Sequence, residues 1–406
     1  MVAYHFPPLA GSSGIQRTLR FAQYLPEFGW QPLVLTASPC AYEQTSADQL
    51  SEIPQETVVK HAFALNTAKH LAIAGRYPAF LARPDRWLTW TWGAIPSGLA
   101  LIRKYRPAVI WSTYPIASAH VIGSRLHKLT GLPWVADFRD PMAQEGYPAD
   151  PRTWKCYARI EGDAIRHARS VVFTTPGAAR LYSQRYASTL RARIAVIENG
   201  YDESSFAPLP PAGPNSLNPG RITLLHSGIV YPSERDPTAL FTALGNLTRR
   251  GELQDLTIRF RASAHDAMLQ ALAEKHGVAH LIETVPPVPY QAALQEMLRA
   301  DGLLVLQAGN CNDQIPAKLY EYLRAARPIL GLTELKGDTA LTLRAAGIHT
   351  IAPLDSADAI GAILVEFVGR LQQGACPVPS PDYVAGASRR ARTLELSRLL
   401  EQSRDR

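Results

Sequence analysis

The sequence predicts an α/β protein with two units in tandem. At 406 residues, the chain is longer than a single hydrophobic core usually accommodates. Short apolar, β-branched runs alternate with longer amphipathic stretches in both halves, which is typical of parallel strands covered by helices. Between the halves, residues 201–220 contain five prolines and no helical periodicity. We therefore predict units at 1–200 and 221–382, joined by a Pro-rich linker at 201–220.

Each predicted strand is a short apolar run bounded by polar or turn-forming residues. In the first unit the predicted strands are 2–6, 33–36, 108–112, 134–137, 171–174 and 195–197. In the second unit they are 222–226, 256–261, 303–306 and 329–332, with helices at 237–249, 264–276 and 317–326. Residues 383–406 predict a terminal helix with a leucine stripe, and packing back on the first unit is one arrangement that would bury this stripe.

The composition excludes several classes of protein. With 46% hydrophobic and 19% charged residues, the chain has enough apolar surface to fold and lacks the bias of disordered proteins. No uncharged stretch reaches the ~20 residues that a transmembrane helix needs. The N-terminus lacks the pattern of a secretory signal, so we expect a cytoplasmic protein. The four cysteines lie far apart in the sequence, and we expect neither a disulfide framework nor a zinc site.

The positive charge of the chain belongs to its first half. Residues 1–200 have a formal net charge of +9, and residues 201–406 have one of −2. Residues 60–106 carry eight basic side chains and one acid, interleaved with aromatic side chains. This mixture suits an anionic membrane surface, and it also suits single-stranded nucleic acid. The third interpretation is that the charges are solvated and the tryptophans lie in the core.

A first candidate site follows the first predicted strand. Residues 7–17 read PPLAGSSGIQR. The small residues would let a ligand approach the backbone, and the following helix would offer free N–H groups to a phosphate. The segment is neither a G-x-G-x-x-G nor a P-loop motif, and an ordinary turn is the alternative.

A second candidate site lies in residues 310–330. A helix that begins near Pro316 places Lys318 and Glu321 three residues apart on one face. In open parallel sheets the ligand lies at the carboxyl ends of the strands, where this helix begins. There the carboxylate can accept hydrogen bonds from ribose hydroxyls, and the lysine can face a diphosphate. An ordinary surface ion pair is the alternative.

Four separated stretches carry a family resemblance. They are FPPLAGSSGIQRTLRFAQYLPEFGWQPLVLT at 6–36, PWVADFRDPM at 133–142, IENGYDESSF at 197–206 and IPAKLYEYLRAARPIL at 315–330. In this order they resemble the family 4 glycosyltransferases of the GT-B fold, particularly the bacterial branch that makes exopolysaccharides or cell-surface glycans. The resemblance implies two Rossmann-like domains that face each other across a cleft. The second domain would hold the nucleotide sugar, and the first would hold the acceptor.

The resemblance implies roles for five residues of the second unit. Glu321 matches the later acid of the family's E-x7-E element, which is expected to hold the ribose. The earlier position, expected to contact the sugar, is the aspartate Asp313 here. Lys318 looks like the lysine that faces the pyrophosphate. A second phosphate cation is expected after the first strand of this unit, where Arg235 stands, and Arg261 after the next strand is the alternative.

In the first unit the resemblance places Gly14 under the diphosphate. His120 resembles the histidine that many relatives place beside the transferred sugar, although a histidine at a helix start is often structural. Asp137, Arg139 and Asp140 follow a predicted strand end. These three residues contact the acceptor or, alternatively, lock their loop through ion pairs.

The resemblance thus implies transfer of a sugar from a nucleotide diphosphate sugar to a glycan or polyprenyl-diphosphate-linked acceptor, in surface polysaccharide biosynthesis. We expect retention of anomeric configuration, no metal ion, and no cofactor apart from the donor substrate. The expected location is the inner face of the cell membrane, and no nucleic acid partner is expected. The alternatives are a sugar-nucleotide epimerase of the same architecture and a non-catalytic scaffold. Relatives have more apolar residues before the segment 4–6, so we also expect the true start to precede Met1.

Overall fold

The computed structural model describes residues 1–12, 14–207, 217–253 and 255–404. The chain divides into two compact units, one formed by Met1–Asn199 with Arg389–Arg406 and the other by Gly200–Ser388. The first part of the predicted linker belongs to the second unit, because Tyr201 and Phe206 are buried in its core. Residues 208–216 of that linker lie outside the described residues.

The strands pair in parallel within each unit. Those of the first unit are β1 (Leu33–Ala37), β2 (Val58–Ala62), β3 (Ile110–Thr113), β4 (Trp134–Arg139), β5 (Ser170–Phe173) and β6 (Arg193–Val196). Those of the second unit are β7 (Ile222–Ser227), β8 (Leu256–Arg261), β9 (Ile282–Val285), β10 (Gly302–Gln307), β11 (Ile329–Thr333) and β12 (Ile351–Ala352). The second sheet has the order β12-β11-β10-β7-β8-β9.

The helices lie between these strands, as the alternating pattern predicts. In the first unit they are α1 (Gly14–Tyr24), α2 (Thr67–His70), α3 (Thr89–Tyr105), α4 (Ala117–Thr130), α5 (Pro151–His167) and α6 (Pro176–Arg185). They continue with α7 (Glu203–Phe206), α8 (Thr238–Arg250), α9 (Asp266–His276), α10 (Tyr290–Arg299), α11 (Lys318–Ala325), α12 (Asp338–Ala345), α13 (Ala357–Gln372), α14 (Pro381–Gly386) and α15 (Arg389–Arg404). None of the helices that the structure describes combines the length and apolar character needed to cross a bilayer.

The strand predicted at 2–6 is reduced to isolated bridges at Val2. Val2 forms parallel bridges to Leu35 of β1 and Ser112 of β3, so it joins the pair β1-β2 to the strands β3-β4-β5-β6. The chain then turns, because the Phe6 N–H donates to the Tyr4 carbonyl. The strand β2 was not predicted, and its burial pattern explains why: most of its side chains are only partly buried or exposed, so no apolar run marks it.

The terminal segment forms two helices rather than the one predicted at 383–406. The first, α14, ends at Gly386, and the following Ala387 is buried in the second core. The second, α15, packs on the first unit, where Leu396, Leu399 and Leu400 are buried. Its Arg392 forms an ion pair of 2.6 Å with Glu198. The leucine stripe therefore covers the sheet of the first unit.

The central strands are buried on both faces, as expected for parallel sheets covered by helices. All six residues of β4 and all six of β10 are buried. Because side chains along these strands fill the cores, polar side chains that can meet a ligand collect in the loops at the strand ends. The candidate residues lie at these carboxyl ends.

Candidate functional site

The helix α11 is anchored at the carboxyl end of β7. Its residues Leu319, Tyr320, Tyr322 and Leu323 are buried. The Tyr322 hydroxyl accepts a hydrogen bond of 2.7 Å from the backbone N–H of Ser227, the last residue of β7. This bond holds α11 beside the end of the sheet.

Lys318 and Glu321 share the open face of α11, as their spacing predicts. The Lys318 ammonium lies 2.8 Å from Glu321 Oε2. The lysine side chain is 33% exposed and the glutamate side chain 17%, so the pair is partly shielded from water. The ion pair places a cation and a carboxylate together at the strand ends, with Glu321 Oε2 itself buried.

A third residue, Tyr290, completes this group. It is the first residue of α10, and its hydroxyl donates a hydrogen bond of 2.9 Å to Glu321 Oε1. Its ring lies below the Lys318 ammonium, 5.6 Å from the ring centroid. No sequence pattern marks this residue, because it lies 31 positions before Glu321 on a different helix.

Arg235 lies in the loop after β7. Its guanidinium donates to the Ile229 carbonyl at 2.6 Å and lies over the Tyr231 ring, 5.4 Å from the centroid. Burial, together with the positive charges of Arg235 and Lys318, lowers the pKa of His226 to about 4. The charges of both cations therefore reach the imidazole of His226, at the end of β7. The two predicted phosphate ligands thus lie in one region of the second unit.

The alternative cation, Arg261, is engaged elsewhere. It donates two hydrogen bonds to the Glu296 carboxylate, at 2.7 and 2.8 Å, and one to the Pro286 carbonyl. A guanidinium paired in this way has its charge neutralised and its geometry fixed. The structure thus favours Arg235 over Arg261 as the second phosphate cation.

Asp313 lies in the turn before α11, and its side chain is exposed. The preceding Asn312 accepts a hydrogen bond of 2.8 Å from the backbone N–H of Asp338, at the start of α12. This contact holds the turn in place. The role of Asp313 toward the sugar stays a prediction.

In the first unit, Gly14 is a glycine for a packing reason. A Cβ at this position would lie 2.2 Å from His5 Nδ1 and 3.1 Å from Arg139 Nη1. Arg139 also donates to the Gly14 carbonyl at 3.1 Å. Protein atoms fill the space in which a ligand was expected from the sequence. A contact of Gly14 with a diphosphate would therefore involve only its backbone, and this contact stays a prediction.

Asp137 forms the centre of a buried ion-pair network. Arg17 donates to both of its carboxylate oxygens, at 2.8 and 3.0 Å, and Thr113 donates to Oδ2 at 2.8 Å. Arg139 donates in turn to the Thr113 hydroxyl at 2.9 Å. Burial would raise the pKa of Asp137, but the two arginines hold it below the usual range. This geometry favours the loop lock for Asp137 and Arg139, while Asp140 is exposed.

His120 is wholly buried. Its Nδ1 lies 2.8 Å from Ser112 Oγ, and its ring packs 4.7 Å from the Phe138 ring. Burial lowers the pKa of this imidazole to about 3. Its Nε2 is also buried and has no hydrogen-bond partner among the described residues. The buried position agrees with the structural alternative, and the predicted place of His120 beside the sugar stays a prediction.

The basic and aromatic segment 60–106 divides between core and surface. Trp90 is fully buried, which agrees with the core interpretation. Phe63, Ile73, Phe80 and Trp92 are 56%, 84%, 65% and 61% exposed. We call these four residues the apolar surface group. No three His, Cys, Asp or Glu side chains among the described residues come together in a way that could hold a metal ion.

Comparisons with known proteins agree with the fold and with the motifs. Residues 13–200 match the family model described as "Glycosyl transferase 4-like domain". No curated protein sequence matches the chain. Sucrose-phosphate synthase from Thermosynechococcus elongatus is a similar solved structure, with 13% identity, 99% of this chain and 98% of that chain covered, and a TM-score of 0.63.

Two further solved structures are similar over their whole length. HepE from Anabaena, in complex with UDP-glucose, has 12% identity and a TM-score of 0.62, with 99% of this chain and 98% of that chain covered. WaaG, described as a glycosyltransferase involved in lipopolysaccharide biosynthesis, has 16% identity and a TM-score of 0.55, with 100% of this chain and 99% of that chain covered. At these identities the similarity establishes the fold.

Proposed function

We propose that this chain, a GT-B glycosyltransferase with a glycosyl transferase 4-like first domain, transfers a sugar from a nucleotide diphosphate sugar to an acceptor hydroxyl. The observation that carries the proposal is the group at the end of β7 and the start of α11. It offers two cations, Lys318 and Arg235, and one carboxylate, Glu321. A nucleoside diphosphate presents the matching chemistry, with a charged diphosphate and a ribose diol.

The proposed reaction depends on departure of the nucleoside diphosphate. Negative charge grows on the leaving oxygen as the bond to the anomeric carbon breaks. Lys318 and Arg235 would stabilise this charge, because partly shielded cations interact with it more strongly than water does. Glu321 would hold the ribose and thereby keep the diphosphate in place.

We further propose that the reaction retains anomeric configuration and needs no metal ion or cofactor. Retention is supported by the family resemblance, and metal independence by the two cations, which supply the positive charge that a divalent ion would bring. Proton NMR of the product made from an α-linked donor tests retention. Turnover that persists in excess EDTA would support metal independence, and turnover restored only by Mg²⁺ or Mn²⁺ would refute it.

A panel of nucleotide sugars tests the function itself. Thermal melting with UDP-, GDP-, ADP- and TDP-sugars identifies the donor, because a ligand that binds only the folded chain raises its melting temperature. Since HepE was solved with UDP-glucose, UDP-sugars are the first choice. Release of free nucleotide that requires a glycan or lipid-linked acceptor supports a transferase. Conversion of the donor alone indicates an epimerase, and binding without any turnover indicates a scaffold.

We propose that the acceptor is a surface glycan precursor at an anionic membrane, attached to polyprenyl diphosphate or to another lipid. The supports are the net charge of +9 in residues 1–200 and the exposed apolar surface group. Exposed aromatic side chains among basic ones add apolar contact to electrostatic attraction at a lipid surface. WaaG, which acts in lipopolysaccharide biosynthesis, agrees with such a role.

Sedimentation with liposomes tests the membrane proposal. The wild-type chain should bind vesicles that contain phosphatidylglycerol and not vesicles of phosphatidylcholine alone. Phe80→Ser together with Trp92→Ser should weaken this binding, whereas Val378→Ser, at a 49% exposed apolar position of the second unit, should leave it unchanged. Equal binding of the wild type to both vesicles would contradict the proposal.

A further inference from the structure

Tyr290 contacts both members of the Lys318–Glu321 pair, and its two contacts differ in kind. The hydroxyl donates to Glu321 Oε1 at 2.9 Å, and the ring face lies 5.6 Å from the Lys318 ammonium. The side chain is 44% exposed. This exposed tyrosine therefore contacts both the carboxylate and the ammonium of the candidate donor site, which indicates a role in that site.

The number of acceptor positions on Glu321 shows that Tyr290 does not block the carboxylate. An ionised carboxylate offers about four lone-pair positions, two on each oxygen. Tyr290 uses one position on Oε1, and Lys318 contacts Oε2 at 2.8 Å. One acceptor position on Oε1 is left, whereas Oε2 is buried and has no hydrogen-bond partner among the described residues. Oε1 is therefore the oxygen that Tyr290 leaves open to a ribose hydroxyl.

The contact also has an energetic consequence. A glutamate side chain loses rotamer freedom when it binds a ligand, and this loss weakens binding. Tyr290 and Lys318 restrain the two oxygens before any ligand arrives, so that part of the loss occurs during folding. Phe in place of Tyr would keep the ring beneath Lys318 and remove only the restraint on Glu321.

We propose that Tyr290 is a positioning residue, which holds the Glu321 carboxylate for the ribose diol of the donor nucleotide. This inference rests on the proposed function, since it deepens the role of the same site. The Tyr290 hydroxyl should therefore change the binding affinity only of ligands that carry the ribose hydroxyls.

Calorimetric titration of the full chain tests the proposal. The probe is whichever of UDP, GDP and ADP binds the wild type, together with its 2′,3′-dideoxy analogue. Tyr290→Phe should weaken binding of the ribonucleotide about fivefold, the size expected for one partly exposed hydrogen bond to a charged group. Binding of the dideoxy analogue should be the same in both proteins. Tyr105→Phe, at an exposed tyrosine of the first unit, is the matched control and should bind both as the wild type does.

Two more measurements sharpen the test. In a Glu321→Ala background, Tyr290→Phe should have no further effect on ribonucleotide binding. With a sugar donor, Tyr290→Phe should raise the KM and leave kcat within twofold, because the diphosphate cations are untouched.

The outcomes distinguish a failure of the positioning role of Tyr290 from a failure of the proposed function. A wild-type chain that binds none of UDP, GDP, ADP and TDP would refute the proposed function, and one that binds only TDP, which lacks the ribose diol, would overturn the positioning role. If the wild type binds, unchanged or tighter ribonucleotide binding by Tyr290→Phe would overturn the positioning role. An equal loss for ribonucleotide and dideoxy analogue would also overturn it.

Discussion

Replacing Lys318 by alanine should lower turnover more than it lowers donor affinity. In the proposed reaction the lysine stabilises charge that is larger in the transition state than in the bound donor, so its removal acts on kcat. The loss of its ion pair with Glu321 at 2.8 Å adds a smaller increase in KM, because the carboxylate then loses one of its two restraints.

The structure sets the magnitude. A hydrogen bond to a charged group contributes about 1.5–3 kcal/mol, or roughly 10- to 150-fold in rate. Lys318 is 33% exposed, and Arg235 acts on the same region, so water and the second cation compensate for part of the loss. We expect kcat to fall by about 10- to 50-fold.

Single-turnover kinetics at saturating donor measure this loss apart from binding. Lys336→Ala removes an exposed lysine of the same unit and should keep the wild-type rate. Lys318→Arg keeps the charge and should recover part of the rate. A folded Lys318→Ala protein with a kcat within twofold of the wild type would refute the role of this lysine.

Three further predictions concern the folded state. Asp137→Ala should reduce the free energy of unfolding by about 3–5 kcal/mol, because Arg17 then keeps a buried charge without its partner. Urea denaturation measures this change, and a loss below about 1 kcal/mol would contradict the proposed ion-pair lock of the loop. Gly14→Ala should lower the melting temperature, because the added Cβ would lie 2.2 Å from His5 Nδ1. A second substitution, His5→Ala, in the same chain should restore much of the melting temperature. An unchanged melting temperature for Gly14→Ala would count against this packing. Acidification from pH 6.5 to 4 should destabilise the chain: burial lowers the folded-state pKa of His226 to about 4, so the unfolded chain takes up this proton first. His226→Asn should therefore have a flatter profile of melting temperature against pH, and identical profiles would disprove the assignment.

The sequence predicts the alternating fold well because the buried strands are apolar runs. The strand β10 is an apolar run that is buried along its whole length, so composition alone marks it. The strand β4 is also buried throughout, but it contains the charged residues Asp137 and Arg139, and only its first four residues, 134–137, were predicted. The strand β2 includes Lys60 and His61, which are exposed, and no such run marks it. The break between α14 and α15 also escaped prediction, although Gly386 and Ser388, which flank Ala387, are residue types that commonly end and begin helices.

The candidate site is predictable only where its residues are close in sequence. The pair Lys318 and Glu321 lies three residues apart on one helix, so helical geometry alone places them together. Tyr290 reaches the same carboxylate from a different helix, and no spacing rule connects the two. The resemblance implies a place for His120 beside the sugar, which stays a prediction. The burial of His120 against Phe138 depends on how α4 packs on β4, and sequence spacing does not contain this information.

We propose above all that the second unit binds a nucleoside diphosphate. Glu321 would contact the ribose, and the cations Lys318 and Arg235 would contact the phosphates. Titration of inorganic pyrophosphate, and of whichever of UDP, GDP and ADP binds the wild type, into wild-type and Glu321→Ala protein tests it most directly. We predict that the substitution weakens binding of the nucleoside diphosphate by at least about tenfold and leaves pyrophosphate binding unchanged. Equal affinities of the two proteins for the nucleoside diphosphate, or an equal loss for both ligands, would contradict the claim.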